Sequence, residues 1–163
     1  MEFRSFLIKY AEIGVKGRNR GIFEDALVRQ IRHALKRCEG EFAVRRTRGR
    51  VYVEVLSESY DYEETVEGLK TVFGIAQICP MIELKDEGFE SLCSAVVSYM
   101  GEAYPDRNFT FKVNTRRARK DYPMESMEVS SEVGGVLLDA YHEMKVDVHD
   151  PQHVVYIDIR ENG

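Results

Sequence analysis

Asn108 to Lys120 reads NFTFKVNTRRARK, and its first half alternates between apolar and polar side chains. Successive side chains on an extended strand point to opposite faces, so Phe109, Phe111 and Val113 share one face and Thr110, Lys112, Asn114 and Arg116 the other. The stretch then leaves the strand through Arg116, Arg117, Arg119 and Lys120, with no acid anywhere between Asn108 and Lys120. An apolar face ties it to a core, while the other offers cations and amide or hydroxyl donors, a surface suited to a phosphodiester backbone. An ordinary strand with a solvated basic edge that deters aggregation has the same composition.

Outward from this strand the pattern alternates between helix and strand. Phe89, Leu92, Val96, Tyr99, Met100 and Ala103 share a helical face, which Tyr104-Pro105-Asp106 stops. After the Asp121-Tyr122-Pro123 turn, Ser126 is placed to cap a helix that buries Val129, Val133, Val136, Leu137, Ala140, Tyr141 and Met144. Gly134 and Gly135 sit inside that helix, each costing about 1 kcal/mol against Ala. Tight packing of helix on sheet is the expected reason, and close approach of a ligand backbone the alternative. Val146–His149 reads as a short strand and Val154–Arg160 as a longer one.

The first half has its own order. Phe3–Ala11 is a strand, followed by a loop with Gly14, Lys16, Gly17 and Arg18. Asn19 is the expected N-cap of a helix burying Phe23, Leu27, Ile31 and Leu35. Strands Phe42–Arg46 and Val51–Leu56 flank a hairpin at Thr47-Arg48-Gly49-Arg50, with Val51, Val53 and Val55 inward and Arg50, Tyr52 and Glu54 outward. Asp61 and Glu64 form a capping-box pattern for a helix ending at Gly74, and Ile75–Leu84 is a strand interrupted by Pro80. The order β-α-β-β-α-β is the ferredoxin-like arrangement. The expected division is residues 1–80 and 81–163, in a fold of mixed α+β and α/β character.

At 163 residues, 44% hydrophobic and 31% charged, the chain suits a folded soluble protein with a real core. No run approaches the roughly 20 apolar residues of a membrane helix, and the start MEFRSFLIKY lacks a secretory pattern. Cys38, Cys79 and Cys93 are sparse and form no CxxC pair, which fits a reducing cytoplasm. The net charge of −5 is unevenly spread: residues 1–56 hold 13 Lys/Arg against 7 Asp/Glu, the remainder 10 against 21. Because salt confines fields to about 8–10 Å, local basic stripes count for more than the total. His149 and His153 have zinc-like spacing, but Asp150-Pro151 breaks a helix between them, and no metal site is expected. Gly14-Val15-Lys16-Gly17 before a helix is a weak phosphate-cradle pattern. No nucleotide-binding, hydrolase or metalloprotease motif occurs, and no catalytic residues are assigned.

Tyr10-Ala11-Glu12-Ile13-Gly14-Val15-Lys16-Gly17-Arg18-Asn19-Arg20, followed by Phe23-Glu24, resembles the amino-terminal signature of the tRNA 4-thiouridine synthetase (ThiI) family. That family usually reads Tyr-Gly-Glu-Leu-x-Leu-Lys-Gly-x-Asn-Arg, so Ala11 is a departure that bears on loop geometry. Phe111-Lys112-Val113 with Arg116-Arg117, Lys120, Pro123, Ser126 and Glu132-Val133-Gly134-Gly135 resembles the family's THUMP signature. Val146 to Pro151 and Ile159-Arg160-Glu161 are similar to its next strands, so the likeness spans nearly the whole chain.

The resemblance implies a ferredoxin-like domain and a THUMP domain that hold tRNA by its acceptor stem and 3′ CCA end. It further implies that the chemistry, adenylation of uridine 8 with ATP and Mg²⁺, belongs to a PP-loop domain absent from this chain. Sulfur would come from a persulfide donor protein, in some members through a rhodanese domain. The family also carries a link to the thiazole branch of thiamine synthesis, and a homodimer is compatible with it. The THUMP domain is expected to lack a final hairpin, which makes the chain a substrate-recognition fragment. Expected RNA contacts are Lys112, Asn114, Arg116, Arg117, Arg119 and Lys120, with Lys16, Arg18, Arg20, Arg46, Arg48 and Arg50 for the stem further from the end. Two other readings are a ferredoxin-like regulatory or small-ligand module, and the RNA-binding part of another THUMP enzyme such as a methyltransferase or pseudouridine synthase.

Overall fold

The computed structural model describes residues 3–11, 18–47 and 50–161, without the side chains of Arg18 and Thr47. The chain divides into two compact units, Glu2–Ile82 and Glu83–Gly163. In the first, β1 (Ser5–Tyr10), α1 (Arg18–Leu35), β2 (Phe42–Thr47), β3 (Arg50–Val55), α2 (Tyr62–Lys70) and β4 (Ile75–Met81) follow in turn. The strands form one sheet in the order β2-β3-β1-β4, antiparallel throughout. Two split β-α-β halves must interleave to give that order, which is the ferredoxin-like fold the sequence indicates.

Its core follows from two periods. Leu27, Ile31 and Leu35 recur every four residues on α1 and meet Phe6, Ile8, Val51 and Val53, which recur every two on their strands; all are buried. Burying each such side chain stabilises the fold by about 1.5–3 kcal/mol. Pro80 does not interrupt β4: it pairs with Phe6 on an edge strand, where a missing N–H removes no ladder bond. Helix α1 begins at Arg18 and so already contains Asn19, which is its second residue and not its cap. Asp61 caps α2 by accepting from the Glu64 N–H (2.9 Å). The Glu64 carboxylate instead receives the Glu39 N–H (2.8 Å), so the box closes on one side only. Tyr52, expected to face solvent, is 7% exposed, with the Arg45 guanidinium 5.2 Å from its ring centroid.

The second unit contains α3 (Phe89–Ala103), β5 (Thr110–Arg117), α4 (Ser126–Ala140), β6 (Lys145–Val146) and β7 (His153–Ile159). Its sheet has the order β6-β5-β7, with β5 central and parallel to both neighbours. Cys93, Val96 and Met100 of α3 and Val129, Val133 and Leu137 of α4 share a core with Phe111, Ile157 and Ile159. Helix α4 begins after Glu125, not Ser126, and turns extended at Tyr141, short of the expected Met144. The strand expected at Val146–His149 shrinks to Lys145–Val146, because the Asp147 carboxylate accepts the His149 and Asp150 N–H groups and bends the chain away.

Gly134 and Gly135 do not serve tight packing. A Cβ at either would meet nothing within 4 Å. No helix among the described residues is long and apolar enough to cross a membrane.

Candidate nucleic-acid interface

The alternation of β5 sorts its residues as the sequence indicates. Phe111 and Thr115 turn toward α4, where the Ser130 hydroxyl lies 2.8 Å from that of Thr115. Lys112, Asn114 and Arg116 turn the other way. Parallel register places them beside Val154, Tyr156 and Asp158 of β7, giving the unit an uncovered sheet face with an exposed tyrosine. Lys112, Asn114 and Arg116 have no side-chain partner among the described residues, and neither has Lys120. Asp158, level with Arg116, is engaged by Arg160 at 3.0 Å. The face therefore carries unspent cations, an amide and one aromatic ring. These are the groups that meet phosphates, sugars and unstacked bases.

Two of the expected contacts are occupied inside the fold. Arg117, 17% exposed, donates to the carbonyls of Tyr122 (3.1 Å) and Met124 (3.2 Å) and pairs with Glu125 (3.1 Å). It holds the turn that launches α4. Arg119, 22% exposed, pairs with Asp86 and with Asp121 (3.4 Å) and lies over the Tyr122 ring. The Arg119 guanidinium and the Gly88 N–H hold the Asp86 carboxyl below the usual aspartate range. Arg107, from the same basic run, donates to the Tyr104 carbonyl (2.7 Å) and pairs with Glu143 (3.3 Å), finishing α3. Like charges at the end of one strand thus do different work, according to which acids and carbonyls stand opposite.

In the ferredoxin-like unit Glu24 is a buried hub. Its carboxylate accepts from the Tyr10 hydroxyl (2.5 Å) and from Arg20 Nε (3.0 Å), and pairs with Arg46 Nε at 3.5 Å. Arg46 also pairs with Asp25 at 2.7 Å. Two arginines and two carboxylates cancel in net charge, so this cluster fastens α1 to β2 and offers a polyanion little. Burial, and then the Glu24 carboxylate, push the Tyr10 phenol up. Arg50 reaches the Tyr52 hydroxyl at 3.5 Å. Lys16 and Arg48 lie outside the described residues, as does the side chain of Arg18.

Sequence reasoning missed Tyr156, although its place between Val155 and Ile157 on an alternating strand marks it as outward. The His149–His153 spacing gathers no third ligand: among the described residues no three His, Cys, Asp or Glu side chains come together. The His153 ring instead packs on Phe109 at 4.5 Å and Tyr104 at 4.7 Å.

Residues 5–79 match the ThiI ferredoxin-like domain, and residues 87–163 match the THUMP domain. The chain belongs to the ThiI family. A probable tRNA sulfurtransferase of Lachnospira eligens is 57% identical over 158 residues, covering 97% of this chain and 40% of that protein. A 4-thiouridine synthetase solved with RNA and ATP superposes with a TM-score of 0.76 at 31% identity, over 99% of this chain and 40% of the other. A protein from Pyrococcus horikoshii gives 0.73 at 27% identity, over 98% and 52%. The chain thus spans about two fifths of the length of the curated relatives it matches. The ThiI-type ferredoxin-like domain favours the thiolation family over other THUMP enzymes.

Proposed function

We propose that this ThiI-family chain is the tRNA-recognition part of a tRNA uracil 4-sulfurtransferase that acts at position 8. It binds the acceptor stem and 3′ CCA end, and the PP-loop domain of the longer enzyme carries the chemistry. ATP and Mg²⁺ serve that domain, a persulfide protein delivers the sulfur, and the thiamine thiazole link belongs to the same enzyme. The observation that carries the reading is the uncovered β5–β7 face. Lys112, Asn114 and Arg116 stand there without a partner among the described residues, Lys120 follows three residues after the strand, and Tyr156 is the aromatic ring beside them. A folded RNA end presents sugar-phosphate rails and unstacked bases, which such a face meets by charge and stacking.

The test is a gel shift of this chain with tRNA, with and without its 3′ CCA, at two salt concentrations. The expected result is weaker binding of the shortened tRNA, and a steep salt dependence of about −0.7 to −0.9 in log K per log salt for each phosphate contacted. Equal affinity for both RNAs with no salt dependence overturns the reading.

A further inference from the structure

The outer side of α1 carries Arg29 and His33, and Arg37 follows four residues on in the turn that ends it, all three exposed. Four residues advance a helix by about 6 Å and almost return to the same angle, so Arg29 and His33 line up, and Arg37 continues their line beside His33. The stripe does not stand on a flat surface. With Gln30 it lines a groove of about 380 Å³ whose far wall is Thr71 and Val72, just after α2; Ala34 and Val72 supply its apolar part.

No carboxylate lines the groove. Arg29 and Arg37 have no acidic partner among the described residues. Among the described residues the Arg37 side chain meets His33, whose Nε2 is 3.4 Å from Arg37 Nη2. An arginine can only donate, so His33 accepts and steadies the guanidinium along the groove. The Gln30 amide adds a donor, while the Thr71 hydroxyl is already committed to the Gly68 carbonyl at 2.7 Å. On α2, Glu67 is neutralised by Lys70 at 2.6 Å. A second groove shares Arg29 but is lined by Asp25 and Ile22, and so lacks this character.

Cations near the end of a helix also complement its dipole, which amounts to about half a negative charge. Two full charges over eight residues exceed that need, and the carbonyls ending α1 already receive the N–H groups of Lys36, Arg37 and Cys38.

We propose that the groove between α1 and the end of α2 is a second phosphate-binding site, in which Arg29 and Arg37 grip two phosphates of an RNA strand. Guanidiniums suit phosphate oxygens, and two of them spaced along one groove suit a backbone more than a single small anion. The proposal rests on the RNA-binding reading and adds to it a contact on the helical side of the ferredoxin-like unit.

The experiment measures tRNA affinity across a salt series for the whole chain, for R29A/R37A, for R29K/R37K and for K112A/R116A, with a melting curve for each. Losing two contacts should make the salt slope of R29A/R37A shallower by about 1.4–1.8, or roughly 25- to 60-fold weaker binding at 0.1 M salt, with the lysine pair restoring most of it. Unchanged affinity and slope in R29A/R37A, with K112A/R116A weakened, overturns the groove and leaves the RNA reading standing. Wild-type binding by both alanine variants sinks that reading as well. A fall in affinity that leaves the salt slope of R29A/R37A at its wild-type value makes the arginines structural, and overturns the phosphate contact. In a parallel titration with poly-L-glutamate, binding that R29A/R37A loses while keeping wild-type tRNA affinity assigns the groove to an acidic protein, and also overturns the phosphate contact.

Discussion

Arg116 and Arg117 are neighbours in sequence, yet replacing each with alanine should do opposite things. Arg117 is 17% exposed and donates to two backbone carbonyls, at 3.1 and 3.2 Å. Its ion pair with Glu125, a residue 78% exposed, adds little because solvent screens it. Hydrogen bonds from a charged donor contribute about 1.5–3 kcal/mol each and do not add fully, so Arg117→Ala should cost about 2–3 kcal/mol. For a unit of this size 1 kcal/mol moves the midpoint by about 4–8 °C, which gives a drop of roughly 8–24 °C in the melting of the second unit. Arg116 has no partner to lose among the described residues, so Arg116→Ala should melt within a degree or two of wild type. Its tRNA binding should instead weaken by about 5- to 8-fold at 0.1 M salt, the contribution of one phosphate contact. Circular dichroism melts and anisotropy titrations, both taken well below the lower midpoint, separate the two effects. A wild-type melting point for Arg117→Ala together with lost tRNA affinity would refute the division of these arginines into structural and binding groups.

Gly134→Ala and Gly135→Ala should each stabilise the protein by about 1 kcal/mol, since helix propensity improves and the added methyl meets open space; a thermal melt decides, and lower stability would mean the helix needs those positions bare. The Asp86 carboxyl is held low in the folded state by Arg119 and Gly88, so its contribution is present above the ordinary aspartate value of 3.8 and fades as pH falls through its lower folded value. Asp86→Asn should therefore lower the melting point at neutral pH and narrow its gap to wild type in acid below about pH 4. A gap that stays constant from pH 7 to pH 3 contradicts the assigned pair.

The sequence by itself carried the architecture to within a few residues. The two-residue period of Phe109, Phe111 and Val113 and the four-residue period of Leu27, Ile31 and Leu35 are local signals, set by the geometry of strand and helix and by the burial of one face. They also sorted Lys112, Asn114 and Arg116 onto the face away from the core. What they could not show is which charges were already spent. Arg119 meets Asp86 from 33 positions away and Arg46 meets Glu24 from 22, encounters made only when the chain folds back on itself. Arg29, His33 and Arg37 drew no notice as a sequence, because their groove exists only where Thr71 and Val72 arrive beside them. Periodicity is written along the chain, whereas the partner of a long charged side chain is chosen across space. Tertiary structure alone therefore separated the cations held by acids and carbonyls of the fold from those without a partner among the described residues.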